Sequence, residues 1–235
     1  MAKRVFYILD VFAERKYAGN QLAVIRSAAG LTSGEMQLLT REMNYSESTF
    51  IAADEERNGG YDVRIFTPGE EVPFAGHPTL GSAFIIQQEI IERPVEQVVL
   101  NLQVGQIPVD FTYKDGKPDV LWMKQVEPEF WKTIEPRAMA NLLHVDENDI
   151  DTRFPIQEVS TGLPFIIVPL KSLDAVRRSR PETRQLLSFV ENYKAKNILV
   201  FAPETYSTDN QLNVRVFTDY LGIPEDPATG SANGC

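Results

Sequence analysis

The chain has 235 residues, 33 Asp plus Glu against 23 Lys plus Arg, and a formal net charge of −10 at pH 7. Proteins that bind a nucleic-acid backbone or an anionic membrane surface concentrate positive charge, and this balance argues against both. At 43% hydrophobic and 24% charged residues, the composition is that of a folded globular protein.

The single cysteine, Cys235, leaves no intrachain disulfide. With only two histidines, His77 and His144, a zinc site of the usual His/Cys type is not expected. No apolar run reaches membrane-spanning length. Met1-Ala2-Lys3-Arg4 followed by Val5 to Val11 lacks a cleavable signal pattern and reads as a strand, so a soluble, cytoplasmic protein is expected.

In chain order, Thr32 with Glu35 forms a capping-box pattern that opens a helix through about Met43. Residues 48–52 and 61–66 carry the β-branched and aromatic enrichment of strands. Pro78 suits the first turn of a helix over about 79–91, whose Leu80, Ala83, Phe84, Ile85, Ile86, Ile90 and Ile91 make it apolar on more than one face. Such a helix is a buried one. Strands follow at 97–104, 109–113 and 120–125, with Pro108 just before the middle one. Beyond them come a helix at about 137–143, strands at 157–160 and 165–169, and helices at 172–178 and 181–193. The last strands fall at 197–202 and 211–217.

The chain also repeats itself. Val63-Arg64-Ile65-Phe66-Thr67 returns as Val214-Arg215-Val216-Phe217-Thr218, an offset of 151. His77-Pro78-Thr79-Leu80-Gly81-Ser82-Ala83 faces Asp226-Pro227-Ala228-Thr229-Gly230-Ser231-Ala232, an offset of 149, and Gly19 to Ile25 echoes Gly162 to Val168. Ordered matches at nearly equal offsets indicate a tandem duplication. The expected domains are a first half over 1–126 and a second over 127–235. The second stops within a turn or two of where its buried helix should begin, about 40–50 residues short if the halves are equivalent.

Both repeated segments are loops entering helices, where unpaired N–H groups and a partial positive charge favour carboxylate or phosphate. Gly76, Gly230 and Ser231 are small enough to let a ligand approach the backbone. His77 and Asp226 are either capping residues or functional groups at these ends, and their recurrence favours function. Glu47, at the start of a strand, is a usable proton carrier if that end borders a cleft. His144 reads as a last-turn helix residue. No P-loop, G-x-S-x-G elbow or dinucleotide fingerprint is present, and the Asn44-Tyr45-Ser46 sequon carries no weight in a cytoplasmic chain.

Four ordered features carry a resemblance. They are Asp10-Val11-Phe12 with Gly19-Asn20, Ser46-Glu47-Ser48-Thr49-Phe50, Phe74-Ala75-Gly76-His77-Pro78-Thr79, and Glu225-Asp226-Pro227-Ala228-Thr229-Gly230-Ser231-Ala232. Together they resemble the PhzF-like family, named for phenazine biosynthesis, in the diaminopimelate-epimerase fold superfamily. The resemblance implies an α+β fold of two pseudo-symmetric halves, each an antiparallel barrel-like sheet around a central helix, with the active site between them.

It also implies a cofactor-independent isomerase of a small carboxylate-bearing substrate, such as trans-2,3-dihydro-3-hydroxyanthranilate, and a homodimer. Glu47 would carry the proton, His77 and Asp226 would hold and polarise the substrate, and Gly76, Gly230 and Ser231 would bind its carboxylate. The superfamily's amino-acid epimerases place cysteines at the two helix heads; Ala75-Gly76-His77 and Glu225-Asp226-Pro227 supply none, which rules out that two-thiol mechanism. The other readings are a catalytically silent anion-binding or interaction protein and, with little support from spacing, a hydrolase built on Ser231.

Overall fold

The computed structural model describes residues 3–235; Met1 and Ala2, the start of the segment read as lacking a signal pattern, lie outside the described residues. The chain divides into two compact units, the first ending at Val126 and the second spanning Glu127–Cys235. Among the described residues no helix is long and apolar enough to cross a membrane.

The first unit contains β1 (Phe6–Val11), β2 (Asn20–Ile25), α1 (Ser33–Met43), β3 (Glu47–Ile51), β4 (Tyr61–Phe66), β5 (Glu71–Val72) and α2 (Gly76–Ile86). A π-helical turn, Gln87–Ile91, extends α2, and β6 (Gln97–Leu102), β7 (Gly105–Lys114) and β8 (Lys117–Met123) follow. Its eight strands form one sheet in the order β1-β2-β3-β4-β6-β7-β8, with β5 also on β4. The sheet is mostly antiparallel, with two parallel pairs. β2 runs parallel to β3, and β4 to β6. Parallel neighbours need a crossover, and α1 and α2 provide the two crossovers. Pro108 falls inside β7 instead of before it, facing Val99 of β6, while pairing with β8 begins only at Val109. At that position no second neighbour needs the missing N–H.

The second unit contains β9 (Glu129–Ile134), α3 (Pro136–Leu143), β10 (Ile156–Ser160), β11 (Pro164–Pro169), α4 (Leu173–Arg178) and α5 (Thr183–Val190). It ends with β12 (Asn197–Ala202), β13 (Asn213–Phe217), β14 (Glu225–Asp226) and α6 (Gly230–Asn233). The sheet order is β14-β13-β12-β11-β10-β9, with β11 and β12 parallel and bridged by α4 and α5. β9 has no counterpart among the sequence-based elements: its run of Glu129, Phe130, Trp131 and Lys132 is mostly exposed and lacks a buried-strand pattern.

The capping box at Thr32 and Glu35 forms as expected and starts α1. α1 packs Met36 against Ala23, Ile25, Phe50 and Phe66. α2 is buried on nearly every side, from Gly76 through Ile86. A Cβ at Gly81 would collide with Leu22 and meet Val11 Cγ2 at 3.1 Å, so the helix rests directly on β1 and β2. Gly19 is required for a second reason. Its φ of +74° lies in the left-handed region, and a Cβ there would strike the Val11 carbonyl oxygen where β1 passes into β2.

The repeat is visible in strand register. β1-β2-α1-β3-β4-β5-α2 corresponds to β10-β11-α4-α5-β12-β13-β14-α6, with the same parallel and antiparallel pairings. Arg64 grips Glu71 through Nε and Nη2 at 2.7 and 2.6 Å, and Arg215 grips Glu225 the same way at 2.8 Å each. Each guanidinium also lies over a phenylalanine two residues on, Phe66 at 5.1 Å and Phe217 at 5.0 Å.

These anchors correct one sequence alignment. Ile65 faces Val72, and Val216 faces Asp226, so Asp226 matches Val72 and not His77. A longer connector holding the short 3₁₀ turn Asp219–Leu221 raises the offset from 151 to 154. Gly76 then matches Gly230, and His77 matches Ser231, at the first and second residues of α2 and α6. α6 has only four residues, and where Val24, Ile51 and Val63 are buried in the first unit, the matching Ile167, Phe201 and Val214 are half-buried.

Gly81→Ala should destabilise the protein by roughly 1–3 kcal/mol through overpacking, read as a lower urea midpoint. The Arg64 guanidinium holds the Glu71 carboxyl below its usual range by hydrogen bonding. A carboxylate depressed on folding contributes stability above its unfolded pKa, and loses it as pH falls through the lower folded value. Glu71→Gln should therefore cost about 1 kcal/mol at pH 7, with the deficit shrinking in acid, as measured by urea unfolding at both pH values.

Candidate active site

In the first unit, the site is assembled by a helix end meeting a strand end. Asn44 closes α1 in the left-handed conformation, with φ 54°, and turns the chain into β3, so that Glu47 opens that strand opposite Leu22. Asparagine tolerates this conformation better than most residues. Thr49, two residues along β3, accepts a hydrogen bond from Ser82 of α2 at 2.9 Å. That bond and the close approach at Gly81 fix α2 against the sheet. His77, the second residue of α2, then comes to Glu47, with Nε2 3.5 Å from the carboxylate Oε2. Glu47 is 7% exposed and His77 2% exposed. A buried carboxylate beside an imidazole is placed to accept a proton and give it back.

Gly76, the first residue of α2, adjoins this pair. Ala75 takes the N-cap position and makes no side-chain cap hydrogen bond, and no acidic residue lies in the first turn. α3, α5 and α6 likewise lack a side-chain cap, whereas α1, α4 and the 3₁₀ turn Glu147–Asp149 each carry one.

The second unit gathers a different set. Asp226 ends β14, buried at 4% exposure, and its Oδ2 accepts a hydrogen bond from the Thr229 hydroxyl. Thr229 is the N-cap of α6, where Gly230 and Ser231 follow. Ser231 is buried, and its carbonyl accepts from the Thr161 hydroxyl at 3.2 Å, tying α6 to the β10–β11 turn. Cys235 also packs here. Burial pushes its thiol pKa up, which makes it a poor nucleophile.

The structure thus groups Glu47, His77 and Gly76 in the first unit, and Asp226, Gly230 and Ser231 in the second. His144 joins neither group: it is the C-cap of α3 in the left-handed conformation, φ 56°, beyond the last turn where the sequence placed it. It borders a separate groove of about 990 Å³ with Arg178, Arg180 and Arg215, whose walls contain none of the six residues. Among the described residues, no three His, Cys, Asp or Glu side chains cluster as metal ligands would.

Two residues were given no role of their own from the sequence. Thr229 is one, readable only once Asp226 is seen to lie within three residues of a helix start. Asn197 is the other. Ser48 faces Phe66 and Ile198 faces Phe217, so with Phe66 matching Phe217 the residue matching Glu47 is Asn197. The repeat offset of 151 leads from Glu47 to Ile198, so only the strand register identifies Asn197.

The family model described as phenazine biosynthesis-like protein matches residues 9–235. An uncharacterized isomerase of Clostridium acetobutylicum is 34% identical, over 97% of this chain and 76% of its own. The trans-2,3-dihydro-3-hydroxyanthranilate isomerase of Pseudomonas aeruginosa is 32% identical, over 97% of this chain and 77% of its own. The crystal structure of a PhzF-family phenazine biosynthesis protein from Bacillus anthracis superposes with a TM-score of 0.86 at 27% identity, covering 99% of this chain and 78% of that one. Matches of this extent carry one conclusion: the chain belongs to the phenazine biosynthesis-like, or PhzF, family.

Proposed function

We propose that this protein is a cofactor-independent isomerase that relocates a proton on a small carboxylate-bearing substrate, with Glu47 as the carrier. The observation that carries the reading is the buried Glu47–His77 contact at 3.5 Å beside the first residue of α2. The isomerase names of its relatives support the reaction class, and that of the Pseudomonas aeruginosa relative supports trans-2,3-dihydro-3-hydroxyanthranilate as the first substrate to try.

In this mechanism the Glu47 carboxylate removes a proton from a substrate carbon. The electron pair left behind delocalises into the adjoining π-system. The protonated Glu47 then returns the proton to another carbon of the same system, so the net change is one relocated double bond. His77 and Asp226 hold and polarise the substrate. The backbone N–H groups of Gly76, Gly230 and Ser231 bind its carboxylate by charge-assisted hydrogen bonds, worth roughly 1.5–3 kcal/mol each. Donors held in place before the reaction stabilise the charge that spreads into the ligand as the proton leaves. A homodimer in the cytoplasm completes the proposal.

Glu47→Gln keeps the shape and removes the base. It should lower turnover of trans-2,3-dihydro-3-hydroxyanthranilate by about 10²–10⁴-fold, the usual contribution of a positioned acid–base group, while leaving substrate affinity nearly unchanged. NMR in heavy water should show substrate C–H exchange with the unsubstituted protein and none with the variant. Equal exchange rates would remove Glu47 from the mechanism, and binding without any exchange would make the protein a silent binder.

A further inference from the structure

Asn197 opens β12 and is 1% exposed, and its side-chain Oδ1 is enclosed with no hydrogen-bond partner among the described residues. Buried polar atoms in folded proteins are almost always paired. An apolar residue of the same shape would avoid the cost of stripping water from that oxygen. Folding therefore gains nothing from an amide oxygen here.

The repeat indicates what this position is for. Asn197 occupies in the second sheet the place Glu47 occupies in the first, one residue before the pair set by Ile198 and Phe217. In the first unit that place looks onto the second residue of the following helix, His77. The matching helix residue in the second unit is Ser231, which the Thr161 hydroxyl ties to the β10–β11 turn. That turn joins β10 to the end of β11 where Phe165 pairs with Asn197. Asn197 and Ser231 thus share one end of the second sheet.

We infer that Asn197 is a specificity-determining residue for the reaction proposed above, its Oδ1 accepting a hydrogen bond from an amino or hydroxyl group of the substrate. The substrate class narrows accordingly, from any small carboxylate to an amino- or hydroxy-substituted one. A site built to pair such a donor rejects analogues that lack it, because its own acceptor is then left buried and unmatched. The inference rests on the proposed isomerase reading.

The test is Asn197→Leu, near in size and without polar atoms, with Asn197→Asp, which keeps an acceptor oxygen at the same place. With trans-2,3-dihydro-3-hydroxyanthranilate as substrate, Asn197→Leu should raise KM about tenfold or more, the scale of one lost buried hydrogen bond, with a smaller change in kcat. Asn197→Asp should recover part of the loss. Asn197→Leu should melt at or above the temperature of the unsubstituted protein, whereas an amide kept for folding would cost several degrees. Unchanged KM in Asn197→Leu, or failure of that variant to fold, overturns this inference, and the isomerase reading stands if Glu47→Gln is silent in the same assay. Absence of any turnover by the unsubstituted protein overturns both.

Discussion

A helix seated directly on its sheet sets the geometry of the first unit. α2 is apolar around almost its whole circumference, so burial on every side is its stable state. Burial requires close contact with β1, β2 and β3, and the missing side chain at Gly81 and the Ser82–Thr49 hydrogen bond are what permit it. Once the helix is seated, its second residue has little freedom left. His77 is carried to the opening residue of β3, and Glu47 is buried against it. The candidate chemistry follows from how a core is packed, with no separate device to hold it.

The second unit uses the same scaffold for other groups. Strand order, the parallel pair and the arginine–glutamate grip are all reproduced. The residues at the matching candidate positions differ: Asn197 for Glu47, Ser231 for His77, and Asp226 where the first unit has Val72. The repeated part is what maintains the backbone, and the divergent part includes the residues proposed to meet a substrate. An ionisable carboxylate–imidazole pair stands in one unit, and an amide, a hydroxyl and a carboxylate bound by Thr229 stand in the other.

Much of this was legible in the sequence because it rests on local rules. The Thr32–Glu35 capping box, the all-round apolar helix and the recurrence of Val63-Arg64-Ile65-Phe66-Thr67 each need only a few neighbouring residues to be recognised. Glu47 and His77, Gly76, Asp226, Gly230 and Ser231 were all singled out from motifs. The alignment of the second helix head was not legible. It depends on a connector three residues longer, and only paired strands reveal where that extra length is absorbed. The parallel pairs escaped for a similar reason, since strand direction is a property of crossovers and not of the strands' own residues. The meeting of Glu47 with His77 is a contact between residues thirty apart, which no spacing rule encodes. Asn197 stayed hidden because it reads only as the first residue of the strand over 197–202, and nothing local marks what such a residue faces.

Carboxylate binding at the start of α2, as proposed, would couple affinity to folding. Thr32 and Ser172 close their helices with an oxygen from their own side chains, but Ala75 offers none. A substrate carboxylate held at Gly76 would therefore serve as the missing lid on that helix, supplying from outside the chain what a serine or aspartate supplies elsewhere. Any ligand that binds the native form and not the unfolded one raises resistance to denaturation with its concentration. Carboxylates that bind at Gly76 could thus be found by the heat they let the protein survive, before any of them has been shown to react.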